Sequence, residues 1–268
     1  MFGNWVEMSK DTKLFFSISS KPGSFGATFF NFAFDYYNID AIYKPLGIGN
    51  HFRDYGDFVA AMYYVGATGF SVSMPFKKCA AGYCTDKHVT VKETGNANTI
   101  ILDKFLNLRA YNCDCYGFER SCEPILRRAK KAMIYGTGAY SDSICYVLKK
   151  SGIPYARISR QEGGLLKYND GSFDFLINAS PVGMTNVEDS IFSNEIVDMY
   201  KYVFDCVVSK EATKLINISS VLGKRFVTGK QASFENACKQ LGIYLYDQID
   251  SRFIPKETFK KRMMELGY

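Results

Sequence analysis

Ala132-Met133-Ile134-Tyr135-Gly136-Thr137-Gly138-Ala139-Tyr140-Ser141 reads as a strand, a tight turn and the start of an apolar-faced helix. In a dinucleotide site the first glycine makes the turn and the second lets a pyrophosphate reach the backbone at a helix N-terminus. A third allows close helix–strand packing, and here Ser141 takes that third place. Two glycines alone fit a plain βα turn equally well. The turn's position, after a strand and at the opening of a second α/β block, favours the nucleotide reading.

The next strand is expected over 155–158, and Ser159-Arg160 follows it directly. An arginine there can meet a ribose 2′-phosphate and so favours NADP over NAD, since the usual acidic partner of the ribose hydroxyl is absent. Only twelve residues separate Arg160 from Phe173, and they include Gly163-Gly164 and Asn169-Asp170-Gly171-Ser172. That barely meets the length of a helical crossover. Residues 165–168 are therefore expected to turn at Asp170-Gly171 into 173–177 as a hairpin, leaving the adenosine side abbreviated.

The whole chain of 268 residues allows one large domain or two modest ones. Hydrophobic residues at 47% and charged residues at 22% exclude a disordered or fibrous chain. The net charge of +6 suits an anionic small ligand and, without any basic face, does not point to nucleic acid. The eight cysteines are scattered, and the first residues carry no charged-then-apolar signal segment, so reduced thiols and a cytoplasmic location are expected. Cys113-x-Cys115 has the wrong spacing for a zinc knuckle and the chain holds two histidines, so no metal is expected. No apolar run reaches the length of a membrane span, so no membrane partner is expected.

Short β-rich runs alternate with amphipathic stretches, the pattern of an α/β fold with largely parallel strands. Strands are expected at 14–18, 41–44, 70–73, 98–102, 132–135, 155–158, 173–177, 202–205 and 225–228, with a further strand-like run ending at Tyr111. Helices are expected over 25–37 after Ser24, over 54–64, after Pro75 and over 116–130, and two more at 230–241 and 255–266. The domains then read as 1–113, 114–228 with the glycine turn, and a C-terminal pair of helices over 229–268 that can pack back on the first domain.

Polar residues cluster at strand ends, where α/β folds place ligands. Ser71-Val72-Ser73-Met74-Pro75-Phe76-Lys77 leaves two hydroxyls and an ammonium near one edge. Gly95-Asn96-Ala97-Asn98-Thr99 and Tyr111-Asn112-Cys113-Asp114 follow. A lysine beside a carboxylate can pass a proton to and from a substrate hydroxyl while the carboxylate orients it. Lys77 and Asp114 are the candidates for that pair; any isolated Lys or Asp is otherwise a solvated surface residue.

These segments, the glycine turn, and Asn178-Ala179-Ser180-Pro181-Val182-Gly183-Met184 occur in the order of the shikimate dehydrogenase family, which the chain resembles over almost its whole length. The opening, Asp11-Thr12-Lys13-Leu14 through Ser24-Phe25-Gly26 to Asn31, resembles the shikimate dehydrogenase-like (shikimate/quinate dehydrogenase) subgroup. The resemblance implies an N-terminal substrate domain, a Rossmann-type NADP domain and returning C-terminal helices. It also implies a cytoplasmic enzyme of the aromatic amino acid (chorismate) pathway, a monomer or homodimer, that exchanges a hydride reversibly between shikimate and NADP. Lys77 and Asp114 match the catalytic residues. Ser24, Ser71, Ser73, Asn98 and Asn236 match substrate-binding positions, and Gly136, Thr137, Gly138, Ala139, Arg160 and Gly229 match cofactor-binding ones.

The departures are specific. Gly26 replaces the second serine of a Ser-x-Ser clamp, Ser71 an asparagine, Cys113 a threonine, and Asn236 a glutamine one methylene longer. Each shortens reach or removes a donor, and a site built to bond a hydroxyl discriminates strongly when a partner is missing. Quinate or another cyclic hydroxy acid is therefore an open alternative substrate. A binding or regulatory protein that keeps the scaffold without efficient turnover is the alternative function.

Overall fold

The computed structural model describes residues 8–49, 52–103, 105, 107–159, 171–249 and 254–268. Strands and helices alternate along the chain in the expected α/β order, grouped in two units. One takes in Met1–His88, Ala97–Tyr111 and Gln240–Leu266; the other takes in Val89–Asn96, Asn112–Lys239 and Gly267–Tyr268.

The first unit holds a six-stranded sheet in the order β2-β1-β3-β5-β6-β4. These strands are β1 (Lys13–Ser19), β2 (Ala41–Gly47), β3 (Ala67–Val72), β4 (Asp86–Lys87), β5 (Thr99–Leu102) and β6 (Leu108–Tyr111). β1 runs parallel to β2 and β3, while β5 runs antiparallel to both β3 and β6. Helix α1 (Phe25–Tyr36) buries Phe29, Phe30, Ala33 and Phe34, the stripe that a 3.6-residue period aims at the core. α2 (Phe52–Tyr64) and α3 (Lys77–Tyr83) flank β3 in sequence. α10 (Lys256–Glu265) returns onto α1, as expected of the C-terminal helices: the Phe259 ring meets Phe29, Phe32, Tyr36 and Tyr37. Phe15, Phe30, Tyr43 and Tyr244 extend the same aromatic core, so the aromatic surplus goes into packing.

The second unit is a parallel five-stranded sheet ordered β11-β10-β9-β7-β8. Its strands are β7 (Ala132–Tyr135), β8 (Tyr155–Ile158), β9 (Phe175–Asn178), β10 (Tyr202–Asp205) and β11 (Arg225–Thr228). Successive strand residues point to opposite faces, and both faces are covered. Ala132, Ile134, Phe175 and Ile177 pack with residues of α5 (Cys113–Leu126), α6 (Ala139–Lys150) and α9 (Gly229–Tyr244). Met133, Tyr135, Leu176 and Val203 pack with α7 (Asn194–Asp198) and α8 (Lys214–Val221). This is a Rossmann-type, doubly wound layout. The strand order reverses at β7, between β8 and β9, and ligands of open α/β sheets bind at the carboxyl ends of strands at such a switch point.

Several expectations are corrected. The helix expected from 116 starts at Cys113 and ends at Leu126, because Asn112 is its N-cap and accepts the Asp114 N–H. Pro75 lies ahead of α3 rather than within its first turn, and the Met74–Pro75 peptide is cis. Residues 160–170, which include Arg160 and the expected first hairpin strand, lie outside the described residues. β9 itself pairs in parallel with β7 on one side and β10 on the other, so neither of its edges is open to a hairpin partner. The units also divide the chain differently from the domains read in the sequence. α4 (Val89–Thr94) and residues 229–239 group with the second unit, and the return to the first begins at Gln240. All eight cysteines are free thiols. No helix among the described residues is long and apolar enough to cross a membrane.

Candidate active site

In the first unit, Ser71, Ser73 and Lys77 lie along the end of β3 and the start of α3. Lys77 is half-buried, and its main-chain oxygen accepts the Ala97 N–H at 2.9 Å, which ties the start of α3 to the segment carrying Asn98. Ser73 is exposed, and its N–H donates to Ile18 O. The Ser71 hydroxyl is committed to a buried polar cluster: it lies 2.8 Å from the Tyr244 hydroxyl and donates to Gln240 Oε1 at 3.3 Å. Burial pushes the Tyr43 phenol up to about 12 against the opposing effect of hydroxyl bonds from Ser71 and Ser17, so it stays neutral. Ser24 is exposed at the α1 N-terminus, where its main-chain oxygen accepts the Thr28 N–H and hydroxyl. A Cβ at Gly26 would come within 3.2 Å of the Tyr43 ring, so Tyr43 occupies the space that a second clamp serine would need.

In the second unit, Asp114 is buried in the first turn of α5, where a carboxylate complements the helix dipole. Asn236 of α9 donates from Nδ2 to Asp114 Oδ1 at 2.9 Å, so two of the expected site residues meet. Their approach depends on Gly117. A Cβ there would lie 2.5 Å from Ala232 O and 3.0 Å from the Asn236 Cβ, so α5 and α9 touch backbone to backbone. Lys77 belongs to the first unit and Asp114 to the second.

The glycine turn stands at the switch point of the second sheet. Gly136 has φ +122°, and a Cβ on it would meet Ala179 O at 2.6 Å, so only glycine fits where the turn crosses the chain after β9. At Gly138, the N-cap of α6, a Cβ would meet nothing within 4 Å and no described side chain caps the helix, the kind of N-terminus that can receive an anion. Thr137 is exposed and Ala139 half-buried beside it. Ser141 fits the third glycine place because its hydroxyl donates back to Gly136 O at 2.8 Å. Gly229 is buried where the start of α9 presses on the main chain of Cys206 and Val207, which gives it a packing role.

Across the turn's carbonyls lies Arg157, which sequence reasoning passed over as a strand residue. Its Nε donates to Gly136 O at 3.2 Å and its Nη1 to Asp142 Oδ1 at 2.8 Å, while Asn96 holds Asp142 Oδ2 at 3.1 Å.

At 25% identity over 264 residues, the chain is similar to the shikimate dehydrogenase-like protein of Haemophilus influenzae, covering 92% of this chain and 96% of the relative. The relatives it resembles are named shikimate dehydrogenase or shikimate dehydrogenase-like protein. Another is the shikimate dehydrogenase (NADP(+)) of Caldanaerobacter subterraneus subsp. tengcongensis, 23% identical over 84% of this chain and 88% of its own. The crystal structure of shikimate dehydrogenase 1 from Peptoclostridium difficile superposes with a TM-score of 0.82 at 25% identity, covering 94% of this chain and 98% of that one. No protein-family model matches the chain. The family and subgroup resemblance read from the motifs thus holds along the shikimate dehydrogenase length.

Sequence reasoning missed Gln240, Tyr244 and Tyr43 in the first unit, and Asp205 in the second. Asp205 is 1% exposed at the end of β10 and accepts from Asn178 Nδ2, Val207 N–H and the Thr213 hydroxyl. Asn178 in turn accepts from Ser180. That network holds the loop against which Gly136 packs. The helical spacing Asn236, Gln240, Tyr244 was the available signal, since i, i+4, i+8 share one face.

Proposed function

We propose that the chain is an NADP-dependent oxidoreductase exchanging a hydride between shikimate, or a related cyclic hydroxy acid such as quinate, and the nicotinamide, with 3-dehydroshikimate as the oxidised product of shikimate. The observation that carries this reading is the glycine turn at the switch point of a chain that aligns over 92% of its length with a shikimate dehydrogenase-like protein. The residues present fit a dinucleotide, with Gly136, Thr137, Gly138 and Ala139 supplying the phosphate turn; the 2′-phosphate contact is assigned to Arg160 from the sequence, outside the described residues. When bound, the nicotinamide supplies the hydride exchange.

In this reading Lys77 takes and returns the hydroxyl proton, and Asp114 orients the hydroxyl. Asn236, by donating to Asp114 Oδ1, keeps that carboxylate in one rotamer. Ser24, Ser73 and Asn98 bind the substrate's carboxylate and hydroxyls, and Ser71 acts from within the polar cluster of Gln240 and Tyr244. The protein works in the cytoplasm as a monomer or homodimer.

Mixing the protein with NADP and a panel of shikimate, quinate and related acids is expected to give growing absorbance of reduced nicotinamide. No turnover with either NADP or NAD across the panel would overturn the reading. A second reading, a dinucleotide-binding regulator without efficient turnover, draws on Asp142, a carboxylate in the first turn of α6 beside the phosphate turn. Tight calorimetric binding of NADP without turnover supports that one.

Arg157→Ala is expected to weaken NADP binding by about 10- to 100-fold in calorimetry. The substitution removes one of the donors to the Gly136 carbonyl and takes the arginine charge away from Asp142 near the phosphates. Because the Arg157–Asp142 pair is a quarter exposed, raised salt should narrow the difference between variant and wild type.

A further inference from the structure

Asn98 is 3% exposed and Thr99 fully buried. Behind them Gln240, at 6% exposure, reaches over from α9. Gln240 Nε2 lies 3.2 Å from the Asn98 main-chain oxygen and 2.8 Å from Thr99 Oγ1. A main-chain carbonyl can only accept, so this end of the Gln240 amide must be the NH2. Its second proton then goes to Thr99 Oγ1. The single Thr99 hydroxyl proton is thereby directed away from Gln240, to Asn98 Oδ1 at 2.8 Å. At the far end, the Ser71 hydroxyl donates to Gln240 Oε1, which closes the accounting for the glutamine.

We infer that Gln240 is a positioning residue that fixes the polarity of the Asn98 amide through Thr99, so that Asn98 meets its ligand as an N–H donor. The atom it binds must then accept, as a hydroxyl or carbonyl oxygen does in either redox state of a hydroxy acid. The inference rests on the reading of Asn98 as a substrate-binding residue. Direction passes along the chain because each group has only one way to satisfy its neighbour: donor-only nitrogen, then a hydroxyl with one proton, then an amide oxygen. A carboxylate at position 240 has no proton to give and would accept from Thr99, which removes the Thr99 donor from Asn98 Oδ1 and with it this hold on the amide's orientation.

The test is Gln240→Glu, read against wild type at each pH. At pH 8 KM for the hydroxy acid is expected to rise by about tenfold, the loss of one hydrogen bond, with kcat within about threefold because the contact serves ground and transition states alike. As pH falls toward 5.5, the buried glutamic acid, its pKa raised by burial, regains one proton, shared between Thr99 Oγ1 and the Asn98 main-chain oxygen where the amide gave two, and the KM ratio should fall by about threefold or more. Gln240→Met and Thr99→Val should raise KM at every pH with no such recovery. A KM ratio for Gln240→Glu that is near one, or raised equally at all pH values, overturns the inference.

The Asn98 side-chain amide resonances give an activity-free readout: held and sharp in wild type, shifted or broadened in Gln240→Glu at pH 8, restored on acidification. Resonances identical in wild type and Gln240→Glu at pH 8 would overturn the inference even if no acid is turned over. Absent turnover with altered, pH-restored resonances would sink the proposed function and keep the positioning role.

Discussion

Lys77→Ala is expected to lower kcat/KM for the hydroxy acid by about 10²- to 10⁴-fold, the range that a positioned general acid–base contributes. The bond from the Ala97 N–H goes to the Lys77 main-chain oxygen and is kept in the variant. Lys77→Arg separates charge from proton transfer. A guanidinium keeps the positive charge yet does not give up its proton near neutral pH, so turnover should stay within about tenfold of the alanine variant while NADP binding is retained. A Lys77→Ala enzyme within about threefold of wild type would remove Lys77 from the proposed mechanism. That outcome would leave the proposed dinucleotide site, whose glycine turn belongs to the second unit, to be judged by binding alone.

The second large effect is on stability. Asp205→Ala removes the shared acceptor of Asn178 Nδ2, the Val207 N–H and the Thr213 hydroxyl, leaving three buried donors to find new partners. Such groups cost about 1–3 kcal/mol each and the sum is not additive, so a loss of roughly 3–5 kcal/mol is expected, or about 10 °C in melting temperature for a domain of this size. Burial raises the Asp205 carboxyl above its ordinary range, against the lowering effect of the Thr213, Val207 and Asn178 bonds. A raised folded-state value means the folded protein binds the proton more tightly. The group's contribution is therefore full below the unfolded value of about 3.9 and declines as pH rises through the folded one. Thermal melts at stepped pH should show the wild type's advantage over Asp205→Ala shrinking between about pH 4 and neutrality. An advantage that grows over that range would mean the hydrogen bonds dominate over burial at this site.

Both predictions turn on residues whose roles differ in how visible they are from sequence. Lys77 and Asp114 stand in short local motifs and could be named without any coordinates. Asp205 closes β10 in a run with no motif of its own, and its importance comes from Thr213, eight residues on, and from Asn178, twenty-seven residues earlier on the neighbouring strand. Arg157 is similar: as one residue of a four-residue strand it carries no signal, and only the turn of β7 toward α6 brings Gly136 O beneath it.

Local pattern alone determined the α/β class, the bounds of β7, β8, β10 and β11, the glycine turn and the two C-terminal helices. Strand and helix periods of 2 and 3.6 residues, and the conformations open only to glycine, are written in neighbouring residues. Tertiary structure decided what neighbours in space decide. The central place of β9, with both edges taken in parallel pairing, excludes a hairpin that its flanking turn residues suggested. The two-residue β4 is too short to carry a pattern and exists through its pairing with β6. The polarity of Asn98 depends on a hydrogen bond between Gln240 and Thr99 across 141 positions of chain. Such contacts arise from the packing of whole elements, and no window of sequence contains both partners.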